Sequence, residues 1–338
     1  MTSIHPLQSP RTRMIDPFGR HIHYLRLSVT DRCNLRCTYC MAEEMEFLPR
    51  KEVLSLEEIE RLARCFVDLG VDKIRLTGGE PLVRKGIVEL SNAVSGLEGL
   101  NELTMTTNGL LLDQYAQPLR DAGVSRLNIS IDSLDESRFR QLTRIGQLNQ
   151  VLQGIEAAME AGFDRIKLNA VILKGVNDDE ILDLADFAVC RDLDISFIEE
   201  MPLGHIDSHA RAKTQVSSQS IRQRLSDYFQ LTASTASTGG PSRYFVLPNS
   251  KSRIGFISPM SDNFCTSCNR VRLTVEGQFL LCLGNEHSLD LRSMLRNSSV
   301  SDNDLKAAIL GSIDRKPERH HFDANDTRIV RFMNHTGG

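Results

Sequence analysis

Apolar and polar positions in this chain repeat with two periods that take turns. Tyr24-Leu25-Arg26-Leu27-Ser28-Val29 alternates with a period of two, as a half-buried strand does. Ser55-Leu56-Glu57-Glu58 has capping-box spacing, and the helix it opens puts Ile59, Leu62, Ala63, Phe66 and Val67 on one face before Gly70 ends it. The alternation then repeats. Strands are predicted at 73–77, 103–107, 126–131, 165–173 and 195–198, with helices running to about 94 and over 112–122, 148–161 and 178–190. After Met201 the pattern changes. Residues 205–220 are polar, 221–229 read as a helix, and 231–242 form a Ser/Thr/Ala/Gly run expected to be a mobile loop. Short strands follow near 243–247, 253–258, 270–275 and 279–282, then helices near 288–296 and 302–314.

Strands alternating with helices predict βα units and a parallel sheet. About six units are too few for a closed eight-fold barrel, so the expected fold is α/β, a partial TIM-type barrel. Residues 1–22 read as an extended arm, 23–205 as the barrel, and 206–338 as a C-terminal α+β region covering its open side. In such barrels the chemistry gathers where strands end. The unusual residues obey that rule: the 33–40 loop, Gly78-Gly79-Glu80, Thr106-Thr107-Asn108, Ser130 and Glu199-Glu200-Met201 all sit at or just past predicted strand ends.

Composition changes this picture little. The chain has 338 residues, 41% hydrophobic and 25% charged, with a net charge of −4, so nothing global points to nucleic acid or a membrane surface. Met1 to Arg20 is polar with three prolines and lacks the apolar core of a signal peptide, and no stretch is long enough to span a bilayer. The expected compartment is the reducing cytoplasm.

The cysteines change it a great deal. Cys33, Cys37 and Cys40 are spaced C-x3-C-x2-C, with Tyr39 directly before the third. Three thiolates so close can hold three corners of a [4Fe–4S] cube and leave one iron open. Zinc is the plainer alternative, but it usually takes four ligands in paired spacings, and His21 and His23 upstream lie on a segment expected to point away. A second triple, Cys265-x2-Cys268-x13-Cys282, is either another such cluster or a zinc site completed by His287 or Asp262. Cys65 reads as a small buried residue on a helix.

Basic residues complete the candidate chemistry. Arg26, Arg75 and Lys167 lie on barrel strands with apolar flanks, and Arg270 and Arg272 share one face just after Cys268. Solvated or paired charge is the usual fate of such residues. Arg26 and Arg75, however, alternate out of phase with their apolar neighbours, so they are expected inside the barrel, where several cations call for a polyanion.

The spacing C-x3-C-x-aromatic-C resembles the signature of the radical S-adenosylmethionine (SAM) enzymes. From about residue 18 onward the chain resembles the GTP 3′,8-cyclases within them, the molybdenum cofactor biosynthesis protein A family. The likeness rests on LRLSVTDRCNLRCTYCM, IRLTGGEPL, TTNG, NISIDSLD, CTSCNRVRLT with its later cysteine, and the terminal Gly337-Gly338.

The resemblance implies two [4Fe–4S] clusters, one on Cys33, Cys37 and Cys40 and the other on Cys265, Cys268 and Cys282. It implies that SAM is contacted by Tyr39, Gly79, Ser130 and Met201, with Glu80 shaping its amino-group site. It implies that GTP is held by Arg26, Arg75, Thr106, Lys167, Arg270, Val271 and Arg272, and that the Gly-Gly tail reaches the site. The implied activity is that of a lyase. SAM is cleaved to a 5′-deoxyadenosyl radical, which takes H3′ of GTP, and C3′ joins guanine C8 to give (8S)-3′,8-cyclo-7,8-dihydroguanosine 5′-triphosphate, the first step towards the cofactor. A homodimer, an external electron donor and a downstream cyclic pyranopterin monophosphate synthase are further family expectations. The alternatives are a radical SAM peptide maturase with an auxiliary cluster, which usually needs more cysteines, and a non-catalytic zinc protein.

Overall fold

The computed structural model describes residues 13–204, 206, 211–320, 322 and 329–337. Strands β1 (Tyr24–Ser28), β2 (Lys73–Thr77), β3 (Glu102–Thr107), β4 (Val124–Ser130), β5 (Arg165–Val171) and β6 (Asp194–Ile198) follow the predicted order. Between them run α1 (Leu56–Asp68), α2 (Ile87–Ser95), α3 (Leu112–Asp121), α4 (Glu136–Thr143), α5 (Leu148–Glu160) and α6 (Ile181–Val189). Then come α7 (Arg211–Thr214), α8 (Ser218–Ser226), β7 (Thr232–Ala233), β8 (Arg243–Val246), β9 (Arg253–Ile257), β10 (Arg270–Leu273), β11 (Gln278–Leu280), β12 (Ser288–Asp290), α9 (Leu291–Leu295), α10 (Asp302–Ile313) and α11 (Met333–Thr336).

The capping box at Ser55 forms as its spacing predicts: Ser55 Oγ accepts from Glu58 N at 3.2 Å and Glu58 Oε2 accepts from Ser55 N at 2.8 Å. Helix α4 is an element the hydrophobic pattern does not predict. It buries only Phe139, Leu142 and Thr143 among charged residues, and its start is fixed by Asp135, whose side chain accepts from Arg138 N. The helix expected over 288–296 is instead a short strand followed by α9, because Gln278–Leu280 pairs antiparallel with Ser288–Asp290.

Residues 1–12 of the expected arm lie outside the described residues. The remainder of that arm is not extended. Asp16 accepts from Arg20 Nε at 2.5 Å, and Met14 and Ile22 on either side are buried in the core.

Strand order across the sheet is β12-β11-β10-β1-β2-β3-β4-β5-β6-β9-β8-β7. The expected six-strand run β1 to β6 is present and parallel. The C-terminal region widens it from both sides: β10 pairs parallel with β1, and β9 pairs parallel with β6. Antiparallel strands then close off each margin, and the sheet stays open.

The period of two sorts each strand's residues onto two faces. Leu25, Leu27, Ile74, Leu76, Leu127, Ile129, Leu168, Ile195 and Phe197 pack in the core with helix residues such as Ile59, Leu62, Leu112 and Ile155. Each fully buried side chain of this kind contributes about 1.5–3 kcal/mol relative to exposure. Arg26, Arg75, Asn128, Lys167 and Asn169 occupy the opposite phase and line a cavity on the concave face. Cys65 is buried in the core, as its helical position suggests.

Candidate active site

The 33–40 loop follows β1 and is held by its neighbours' backbones. Arg36 N donates to Thr143 O at 3.1 Å and Thr38 N to Leu142 O at 2.9 Å, so the end of α4 docks onto the loop. Arg144, in the left-handed region at φ 65°, donates through Nη1 to Arg36 O at 2.9 Å. On the other side Gly79 N donates to Thr30 O and Glu80 N to Arg32 O, both at 2.8 Å. A Cβ on Gly78 would lie 2.5 Å from Thr30 O, so only glycine permits this approach.

Cys33, Cys37 and Cys40 line a cavity of about 160 Å³ together with Tyr39, Gly79, Thr106, Ser130 and Met201. Burial, with Glu80 adding to it, pushes the Cys33 thiol up to about 11. Burial and the neighbouring Cys33 push Cys40 up to about 12, and burial with Cys40 and Asp132 raises Cys37. Three thiols whose ionised forms are disfavoured by burial and by one another become thiolates around a bound metal cation, which is compatible with a cluster. Tyr39 Oη donates to Asp132 Oδ2 at 2.6 Å, which fixes the ring beside the loop.

Glu80 does not line this cavity. It is 1% exposed and sits behind the wall, accepting from Leu82 N at 3.0 Å, Thr107 Oγ1 at 2.7 Å and Asn108 N at 2.7 Å. Burial still raises its carboxyl to about 7 against those three donors.

A second cavity of about 140 Å³ adjoins the first, and Asn169, Ile198, Met201 and Met333 line both. One wall carries Cys265, Cys268 and Cys282, and the others carry Arg26, Arg75, Lys167, Arg270, Val271 and Arg272. Burial opposes ionisation of Cys268, but Lys316, Arg270 and Arg20 outweigh it and bring the thiol down to about 7. Lys316 Nζ donates to Arg270 O and to Leu281 O, and Arg20 Nη1 donates to Cys265 O at 2.7 Å.

The proposed zinc partners do not join this triple. Asp262 is paired with Arg243, and His287 is exposed.

Registration explains the cation cluster. Arg26 is the Cα partner of Arg75 on β2 and of Arg272 on β10, which sets three guanidinium-bearing positions side by side across three strands. Arg75 donates to Tyr24 Oη at 2.5 Å and to Thr106 Oγ1 at 3.3 Å. Arg26 Nε is buried without a hydrogen-bond partner. Burial first, then Arg75 and Arg270, lower the Arg26 guanidinium to about 10. No Asp or Glu among the described residues lines this cavity. A buried donor with no acceptor, surrounded by cations and no carboxylate, fits a polyanion.

The C-terminal segment packs beside the ends of β1 and β2. Asn334 Nδ2 donates to Asp31 O at 2.9 Å, and Gly337 adopts φ 74° with its Cα against Thr77. Gly338 lies outside the described residues.

The structure thus brings together every predicted cysteine and basic residue of the site. Thr106, expected with the cations, lines the cysteine-loop cavity and reaches the other only through Arg75. Within the 231–242 stretch expected as a loop, Thr232–Ala233 forms β7, Thr238 O accepts from Lys73 Nζ at 2.7 Å, and Gly240 and Pro241 form part of the cavity wall. Tyr24, Asn128 and Asn169 line the cavity and share the strand phase of Arg26, a signal that could have found them. Phe264, His320 and Phe322 also line it, and together with Arg20 and Lys316 they had no local signal.

Comparison with known proteins finds two family models along the chain. Residues 27–188 match the radical SAM superfamily, and 193–322 match the Molybdenum Cofactor Synthesis C family. The chain is similar to the GTP 3′,8-cyclase of Marinobacter nauticus, at 58% identity over 97% of this chain and 100% of that one. It is similar to the GTP 3′,8-cyclase of Pseudomonas putida, at 60% identity over 96% and 98%. Among solved structures it resembles Streptococcus suis SuiB, with a TM-score of 0.61 at 17% identity over 87% of this chain and 68% of that one. The same protein bound to S-adenosylmethionine gives 0.58 at 17%, over 80% of this chain and 64% of that one. At such identity the likeness speaks to the fold alone.

Proposed function

The chain belongs to the GTP 3′,8-cyclases of the radical SAM superfamily, and from that premise we propose how its residues divide the work. The protein is a lyase of molybdenum cofactor biosynthesis that uses SAM and [4Fe–4S] clusters to cyclise GTP. Cys33, Cys37 and Cys40 hold one cluster and Cys265, Cys268 and Cys282 the other. The chemistry the first supplies when bound is one-electron cleavage of SAM to methionine and a 5′-deoxyadenosyl radical.

In this reading Tyr39, Gly79, Ser130 and Met201 position SAM in the first cavity. Glu80 acts from behind the wall, through the Thr107 and Asn108 groups it holds. Arg26, Arg75, Lys167, Arg270, Val271 and Arg272 hold GTP in the second cavity, and Thr106 sits at the junction, linked to Arg75. A primary alkyl radical attacks any C–H bond within reach, so this residue set works by clamping C3′ at one place. The buried Arg26 Nε without a partner is the observation that carries the GTP assignment, because a triphosphate oxygen supplies the acceptor it lacks.

Barrel and cover are the two functional parts, 23–205 and 206–338, with the tail of the second closing the first. A homodimer, an external electron donor, cytoplasmic location and transfer of product to a cyclic pyranopterin monophosphate synthase complete the proposal. Among the described residues no helix is long and apolar enough to cross a membrane. The test is anaerobic incubation of reconstituted protein with SAM, reductant and GTP. The expected result is 5′-deoxyadenosine and a 3′,8-cyclised guanosine triphosphate in equal amounts. Modification of a peptide with GTP left intact would instead favour a maturase.

A further inference from the structure

Tyr24 stands at the centre of the cation cluster and has no part in the roles described so far. It is 2% exposed and lines the second cavity. Arg75 Nε donates to its phenolic oxygen at 2.5 Å, and Lys73 Nζ lies 5.1 Å from its ring centroid. Its Cα partners are Lys73 on β2 and Arg270 on β10, and Arg26 is two residues on along the same face of β1. Arg272 on β10 and Lys167 on β5 also feel its charge. Glu102, the Cα partner of Lys73 on β3, is engaged by Lys73 at 2.5 Å and Arg126 at 2.7 Å. Among the described residues, and apart from the cysteine thiols, Tyr24 Oη is the one side-chain group in the cavity wall that can carry negative charge.

We propose that Tyr24 is the built-in counter-anion of the substrate cavity, a phenolate that balances the cations until the triphosphate replaces it and the phenol takes a proton from solvent. The balance is simple: phenolate plus one proton from the buffer gives phenol, and no bond of GTP changes. Without substrate the chain has to keep Arg26, Lys73, Arg75, Lys167 and Arg272 close together in a buried place, and a movable negative charge lowers their mutual repulsion. When the triphosphate arrives, its charges and the phenolate repel one another, and protonating the phenol removes the conflict. Burial alone would raise the Tyr24 phenol, but Arg75, Arg26 and Lys73 outweigh it and bring it down to about 7, which supports the geometric argument. The phenolic oxygen would then keep its acceptor role towards Arg75 and point its new hydrogen at phosphate, which makes Tyr24 a positioning residue for GTP.

This inference rests on the assignment of the cavity to GTP. The experiment is isothermal titration of GTP into the anaerobic, unreduced two-cluster protein with SAM present, in buffers of different ionisation enthalpy at pH 6 and pH 8. Wild type at pH 8 is expected to take up about one proton more per GTP than Tyr24→Phe, with the difference vanishing at pH 6. Wild-type affinity should also fall by up to about tenfold per pH unit above 7 relative to the Phe variant. Equal proton counts for both proteins at pH 8 overturn the inference. In wild type alone, proton uptake that does not rise between pH 6 and pH 8 overturns it too, whether or not the variant folds. Absence of any GTP binding by wild type would instead overturn the GTP assignment, so the two failures are distinct.

Discussion

Arg272 Nη1 donates to the carbonyl oxygen of Gly337 at 2.6 Å, and so β10 of the second cavity's wall grips the residue that follows α11. The same guanidinium group reaches Thr336 O at 3.2 Å. Gly337 can be gripped there because it is left-handed and has no Cβ to meet Thr77. Gly337→Val should displace the tail while leaving both cysteine triples in place. Cyclised product is expected to fall by about 100-fold, with 5′-deoxyadenosine still formed in an uncoupled reaction. Product analysis by mass spectrometry checks this, and a fully coupled variant would contradict it.

Arg26 is held in a costly state when the cavity is empty, because its buried Nε has no partner. Arg26→Met should therefore stabilise the substrate-free protein by about 1–3 kcal/mol in urea unfolding. The same change should weaken GTP binding by about 10- to 100-fold, seen in KM more than in kcat. A variant less stable than wild type would argue against an unpaired guanidinium at this position.

The two cysteine triples make a simple metal prediction. Anaerobic reconstitution should load about eight irons per chain, and a Cys265→Ser/Cys268→Ser/Cys282→Ser variant about four. That variant should still cleave SAM, since Cys33, Cys37 and Cys40 line a separate cavity. Iron and acid-labile sulfide assays decide the matter, and stoichiometric zinc with no brown colour would exclude the cluster assignment.

Glu80 gives the pH dependence. Its carboxyl is raised to about 7 in the folded chain, against about 4.3 when unfolded. Between those values the folded protein binds the proton and the unfolded chain does not, so stability is present below pH 4 and is lost as pH rises through 7. The loss is on the order of 3 kcal/mol. Glu80→Gln removes the titration, and in matched anaerobic preparations its unfolding midpoint should fall less than that of wild type between pH 5 and pH 8.

The barrel was legible because β1 to β6 are set by local alternation and their helices by one apolar face. Arg26 and Arg75 were legible for the same reason, since each breaks the alternation where only the interior remains. Helix α4 was missed because its ties are backbone bonds to the cysteine loop, which leave no trace in hydropathy. Arg20 and Lys316 were missed because their partners, Cys265 O and Leu281 O, are carbonyl groups that any residue carries. Tyr24 reads in the sequence only as one position of an alternating strand. Its meaning comes from Lys73 and Arg75, some fifty positions later in the chain, at the 2.5 Å contact with Arg75.

The pairing of β1 with β10 also fixes an order of events during synthesis. Tyr24 meets Arg270 as its Cα partner, so one side of the first strand has no backbone partners until most of the chain has been made. At roughly 5–20 residues per second that interval is about 10–50 s. Throughout it, β1 presents a bare sheet margin of the kind that pairs with other chains, and β6 does so from its own synthesis until β9 follows. Both margins carry interior charge, Arg26 on one and Asp194 on the other, which discourages such pairing. Arg26, a cation of the cavity wall, thus also guards the first margin until β10 arrives, and Asp194 guards the second until Arg253 on β9 pairs with it.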